Sequence, residues 1–219
     1  MQAIERHVES LDWISLILLG AFILLSLVKS TYPQRFEEFI SLLTSNKFMV
    51  FRGKEYKAFH PFNILMFLLN ILSVSLFLFL LFQLFSPIET VDNQMVLFIR
   101  IATGYTSFVL VKFGIEKIIA NIFDLDRIID YYLYQKLAYR NFIALLLFIP
   151  LIFFFYAFTP PLILMYSLLG LLILMNVVSL STIYKQNQSL ISANWFYFIL
   201  YLCTLEIAPY IILYKLFTI

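Results

Sequence analysis

Cysteine is nearly missing from this 219-residue chain. Cys203 stands alone, which excludes an internal disulfide and a cysteine-based metal cluster. Histidine is almost as scarce. His7 and His60 lie far apart, outside every apolar run and outside any ligand-spaced motif, which argues against b-type haem and zinc sites. With only 5 glycines there is no GxxxxGK[ST] or GxGxxG loop to cradle a phosphate, and GxSxG and HExxH are absent too. Charged residues make up 13% of the chain, about half the share of an ordinary soluble domain, and the formal charge of +2 is too small to suggest nucleic acid as a partner. No cofactor, metal or catalytic constellation is expected. The reading is therefore non-enzymatic, although nothing in the sequence excludes an enzyme outright.

What is present is apolar. Hydrophobic residues reach 63% and aromatic ones 19%, with 25 Phe and 14 Tyr, and the mean hydropathy is +0.93. Such a composition exceeds what one soluble core can bury, so the chain is expected to be an all-α polytopic membrane protein. About 20 apolar residues cross the hydrocarbon layer. Six stretches qualify, at about 11–28, 62–85, 95–119, 141–158, 162–183 and 195–217, and the whole chain reads as one transmembrane domain. The connectors 29–61, 120–140 and 184–194, with Lys117 at the end of the third span, hold eleven of the fifteen basic residues, whereas the opposite side holds Arg6 and Lys215. By the positive-inside rule the basic side is cytoplasmic and both termini lie outside. The acidic leader (Glu5, Glu9, Asp12) does not resemble a secretory signal, so the first helix is expected to remain as an anchor.

In the first connector, Phe36, Phe39, Ile40 and Leu43 recur at helical spacing and predict an amphipathic helix in the membrane interface. This connector hugs acidic lipid or docks a cytoplasmic partner. In the second connector, Asp124, Asp126 and Asp130 have a spacing seen where Mg²⁺ is held against pyrophosphate. The companion carboxylates or Gly- and Arg-bearing motif that such chemistry needs are absent, so a solvated helix face is the simpler reading. Tyr131, Tyr132, Tyr134 and Tyr139 suit an interfacial aromatic belt.

Ionisable residues inside the spans are the sharpest functional signal, because each is costly in hydrocarbon and needs a partner or water. Glu206 falls at the middle of the sixth span, and Pro209 frees the carbonyl of Leu205 beside it. On the third span Tyr105, Lys112 and Glu116 share a helical face, with Arg100 about a third of a turn away. Lys112 and Glu116 are spaced to pair at i, i+4, which leaves Arg100 or the Tyr105 hydroxyl for Glu206. Either Glu206 locks spans three and six together, or it takes up a proton or cation during transport.

The closing stretch Trp195-Phe-Tyr-Phe-Ile-Leu-Tyr-Leu-Cys203-Thr-Leu-Glu206-Ile-Ala-Pro209-Tyr-Ile-Ile-Leu-Tyr-Lys215 resembles the C-terminal signature of an uncharacterised domain-of-unknown-function family. Its members are small polytopic inner-membrane proteins of Bacteroidota. Lys112-Phe-Gly-Ile-Glu-Lys-Ile-Ile-Ala-Asn-Ile-Phe123 is similar to that family's middle. The resemblance implies the inner membrane of a Gram-negative cell and supplies no catalytic residue. The absence of catalytic motifs beside one substantial cytoplasmic insert and very short outer loops makes a scaffold or assembly subunit of a larger envelope complex the leading expectation, and organisms rich in secretion and gliding machinery add a role there by association alone. Its partners are the bilayer and other membrane or cytoplasmic subunits. The alternative is a small proton- or ion-coupled transporter using Glu206 and the charged third span.

Overall fold

A computed structural model describes residues 12–43, 60–85, 94–122, 126–158 and 160–186. Every regular element among them is helical. The first long helix, α1 (Asp12–Thr31), carries Asp12 in its first turn and Lys29 in its last, each favourable against the helix dipole. Only Tyr32 separates it from α2 (Pro33–Ile40), whose proline occupies the first helical turn, where its missing N–H costs nothing. A 3-10 turn, Ser41–Leu43, follows. The remaining helices are α3 (Pro61–Phe85), α4 (Gln94–Ile122), α5 (Asp126–Tyr156) and α6 (Leu162–Gln186). At the head of α3 the amide of Phe62 donates to Nδ1 of His60 at 3.2 Å, so a side chain satisfies one of the N–H groups that a helix start leaves open.

Five of these helices, α1 and α3 to α6, are long and apolar enough to cross a membrane. The chain is thus a multi-pass membrane protein. The sixth expected span, 195–217, lies outside the described residues. Burial sorts the five into two kinds. Half of the apolar window is buried in α3 and in α5, against 22% in α1 and 11% in each of α4 and α6. Hence α3 and α5 form the centre and the other three surround it. Among the described helices the α3–α5 contact is the most extensive. It is filled by Met66, Leu69, Leu76, Phe142, Leu147 and Leu151, all nearly inaccessible.

One end of the bundle is closed by rings. Trp13 of α1 meets Phe79 of α3 edge-on at 5.2 Å between centroids and Phe98 of α4 at 5.5 Å. The other end holds α2, the helix expected from the apolar spacing of this connector, and its Phe39 faces inward. Phe39 is not in lipid: it is 1% exposed and stands edge-on to Phe62 of α3 and Phe142 of α5, at 5.7 Å from each. Ile40 of the same stripe is 45% exposed. Helix α2 is a wedge beneath the two central helices, because the one-residue joint at Tyr32 turns its Phe39 side onto them.

The expected fourth span also proves to be part of something longer. Its apolar half, from Asn141, continues a helix that starts at Asp126. Within the preceding stretch Tyr132, Leu133, Tyr134, Gln135 and Ala138 are buried. Tyr132 and Tyr134 therefore serve as packing residues of α5 rather than as an aromatic belt at the lipid boundary. Pro150 is accommodated inside this helix, which runs on to Tyr156.

Candidate functional site

The groups able to do chemistry gather where α3, α4 and α5 meet, towards the end that also holds α2. Helix α4 contributes Tyr105 and Glu116, helix α3 contributes Asn63 and Asn70, and helix α5 contributes Asp130, Lys136 and Arg140. Each sits on an otherwise apolar helix, so each is directed inward by the cost of leaving it in hydrocarbon.

At the centre is Asn70, with no accessible surface. Its Nδ2 donates to the carbonyl of Arg140 at 3.1 Å, and its Oδ1 accepts from the Tyr105 hydroxyl at 2.8 Å. One amide thereby joins all three helices. About a turn further along α5, Lys136 donates from Nζ to Oε1 of Glu116 at 2.7 Å. Glu116 is 2% exposed, and its Lys136 partner keeps 18% of its side chain accessible. The pairing expected within α4, Lys112 with Glu116, is thus replaced: Glu116 reaches across to α5 instead of along its own helix. The cross-helix contact brings the full donor of Lys136 to a carboxylate that would otherwise be buried unpaired, a state costing several kcal/mol. The same ammonium lies 5.7 Å from the ring centroid of Tyr132.

A second ion pair joins Lys117 of α4 to Asp130 of α5, with 44% and 35% of the side chains accessible. The aspartate cluster is thereby partly accounted for. Asp130 is held by a cation on a neighbouring helix, Asp126 begins α5, and Asp124 lies outside the described residues. Among the described residues no three His, Cys, Asp or Glu side chains converge to hold a metal ion. Arg100 is exposed on the outer side of α4. Glu206 and Pro209 lie outside the described residues.

Several of these groups were not singled out in the sequence. Asn63 and Asn70 are seven residues apart on α3, hence on one face, and Lys136 and Arg140 are one turn apart on α5. Isolated amides at that spacing in a run of Leu and Phe are a readable signal. Other buried polar atoms add to the layer: Ser73 Oγ, Ser75 Oγ and Asn141 Oδ1 have no hydrogen-bond partner among the described residues.

One hollow adjoins this centre, and a second lies towards the opposite end of α5. A small one of about 90 Å³ lies between α3, α4 and α5, with Asn63 and Arg140 among apolar walls. A larger one of about 340 Å³ lies between α5 and α6 and is lined by Pro150, Phe153, Phe154, Phe158, Leu164 and Leu168, with Ser167 and Leu171. The first combines a cation with apolar surface, and the second is almost wholly apolar.

A family model described as a domain of unknown function, DUF4271, matches residues 14–217, nearly the entire chain. The chain belongs to this family. The match runs through all the described helices and through the polar layer at α3, α4 and α5, so that layer is part of the family's domain and not an appendage to it. No curated protein and no solved structure matches the chain.

Proposed function

We propose that this DUF4271 protein is a non-enzymatic subunit of a larger assembly in the bacterial inner membrane. The observation carrying the reading is how the polar side chains are used. Glu116–Lys136 and Lys117–Asp130 tie α4 to α5, while Asn70 ties α3 to both. Groups arranged as cross-links between helices hold a shape. A transport pathway needs them directed at a passing solute. The transporter reading rests on Glu206, and nothing among the described residues favours it.

The outer side of α4 supports a partner in the membrane. Arg100, Thr103, Gly104 and Ser107 are all exposed there, and a Cβ built on Gly104 meets nothing within 4 Å. Small residues let helix backbones approach closely, and a guanidinium on an apolar helix favours an acidic counterpart. Within the chain, Glu206 is the acidic residue we assign to the bundle interior, in contact with α4 through Tyr105 or Lys112, which leaves Arg100 to the partner. The basic connectors support an orientation with the α2 end in the cytoplasm and both termini outside.

Purification in mild detergent at native expression tests the assembly. Co-purifying membrane proteins are expected, and Gly104→Leu should release them while leaving the fold intact, since there is room for the side chain. A monodisperse monomer without companions refutes the reading. A reporter fused after Ile219 should be active only if it is of the periplasmic type, and one placed within Ser45–Glu55 only if cytoplasmic. Reversal would overturn the orientation. A Glu206→Gln protein that folds but loses a measured ion flux would favour the transporter.

A further inference from the structure

Helix α6 carries an amide where its own packing does not call for one. Asn176 lies three turns after Met165 and two turns before Ile183, each 1% exposed, so it is on the face that α6 turns to the bundle. Ser179, one turn further on, is 8% exposed. Asn176 is nonetheless exposed. With Ile173 and Leu180, which are 57% and 39% exposed, it makes a stripe along the edge of the packed face. Its Nδ2 donates to the carbonyl of Leu172 at 2.8 Å, within the helix. One N–H and the Oδ1 acceptor are left over, at a depth where lipid offers no partner.

We propose that the apolar stretch 195–217 returns beside α6 along this stripe and that the Glu206 carboxyl hydrogen-bonds to Asn176, a step that rests on Glu206 facing the bundle interior. Residues 187–194 alone separate Gln186 from that stretch. Such a connector reaches at most about 27 Å, and short connections join antiparallel neighbours. Depth agrees with this. Asn176 is ten residues before Gln186, where α6 ends, and seven before Ile183, where its apolar span ends. A helix returning from Trp195 regains those two depths at Leu205 and Leu202, so Cys203 is level with the amide and Glu206 is within a turn of it. Cys203 and Glu206 are three residues apart and share a face. The chemistry fits as well. Glu206 is the acidic residue of the stretch. When ionised it accepts the spare N–H of Asn176, and when protonated it donates to Oδ1, so the amide serves either state. A carboxyl has two oxygens, which leaves one for Tyr105 or Lys112 of α4.

Cys203, the single cysteine of the chain, makes the placement testable by cross-linking. The full chain with Asn176→Cys and a protease site in 187–194 is oxidised in nanodiscs, cut, and run on a denaturing gel without reductant. The two fragments are expected to stay joined. They should separate when Leu171→Cys replaces Asn176→Cys, since Leu171 is exposed on another side of α6. If Asn176→Cys fails to fold, Leu180→Cys with Ile199→Cys and Cys203→Ser probes the same stripe and keeps both Asn176 and Glu206. Fragments that separate in both arrangements, or that stay joined equally with Leu171→Cys, overturn the proposal. A product of twice the chain mass before cutting gives the stripe to a second copy and overturns it too. Thermal unfolding reads the hydrogen bond itself. The fall in Tm of Asn176→Leu/Glu206→Gln should be smaller than the sum of the two single falls, and additive falls overturn the bond. The same cycle with Tyr105→Phe or Lys112→Met reads the α4 contact. Coupling there without coupling to Asn176 refutes this inference and spares the interior placement of Glu206, whereas coupling to neither helix refutes both.

Discussion

The two ends of the bundle are held by different physics. At one end Trp13, Phe79 and Phe98 interlock by shape, with a single described side-chain hydrogen bond nearby, from Tyr156 to Ser15 at 2.7 Å. Towards the other, Glu116–Lys136, Lys117–Asp130 and the Asn70 node join helices through directed polar contacts. In lipid, apolar side chains gain little by leaving the solvent, because lipid tails are as apolar as leucine. Rings then contribute through close contact alone, and many rotations of one helix against another keep such contacts. A polar cross-link tolerates far fewer. The comparison teaches that the polar end fixes the register of the helices and the aromatic end fixes their spacing.

Breaking the buried ion pair should have the largest effect. Glu116→Ala leaves Lys136 without its carboxylate and is expected to destabilise the protein by about 3 kcal/mol. Thermal unfolding in detergent reads this loss, and the double variant Glu116→Leu/Lys136→Met should recover most of it. A double variant as unstable as the single one would mean that the pair does more than satisfy its own charges. At the aromatic end, Phe79→Ala empties a fully buried position and should cost about 2 kcal/mol. That is less than in a soluble core, since the transfer part of the loss is small in lipid. An effect larger than that of Glu116→Ala would reverse the assignment of roles.

Tyr105→Phe sharpens the comparison on a finer scale. It removes one donor from Asn70 and keeps the ring, so about 0.6 kcal/mol is expected, the mean for hydrogen bonds between membrane helices. Deuterium exchange of the α4 backbone would show whether helix register loosens. Lys117→Ala comes last. Its pair with Asp130 is substantially accessible, and such pairs contribute at most about 1 kcal/mol and fade in salt. Unfolding curves at low and high ionic strength should converge for this variant and differ slightly for the wild type.

Much of the helical layout was readable from apolar runs. The stretch beginning at Phe62 is so uniformly Leu, Phe and Ile that α3 differs from its expected span by one residue. The start of α5 was not readable, because 126–140 mixes charges with tyrosines and lowers the hydropathy, although Tyr132 and Tyr134 pack as tightly as Leu133. Helical spacing in the first connector found the α2 helix at Phe36 and Phe39. It could not reveal that α3 and α5 supply a surface for Phe39. For the polar layer, Tyr105 and Glu116 were visible as charged or polar residues inside a span. Their partners were not, since a window along one helix sees Lys112 one turn from Glu116 and cannot see Lys136 twenty residues on. Glu206, the residue that stood out most in the sequence, lies outside the described residues.

The cross-helix placement of Glu116 and Lys136 also bears on how the protein is made. Residues 123–125 alone separate α4 from α5, so the second helix emerges from the ribosome directly behind the first. Entering the bilayer singly, α4 would have only Lys112 of its own helix to set against the Glu116 carboxylate, and α5 would carry the Lys136 ammonium without it, charges that cost most in hydrocarbon when they lack a partner. Entering as a hairpin, they neutralise one another at the moment of lateral release. The ion pair is in this sense a feature of biogenesis as much as of the finished bundle: it makes the order of synthesis, α4 and then α5 without a pause, the least costly route into the membrane.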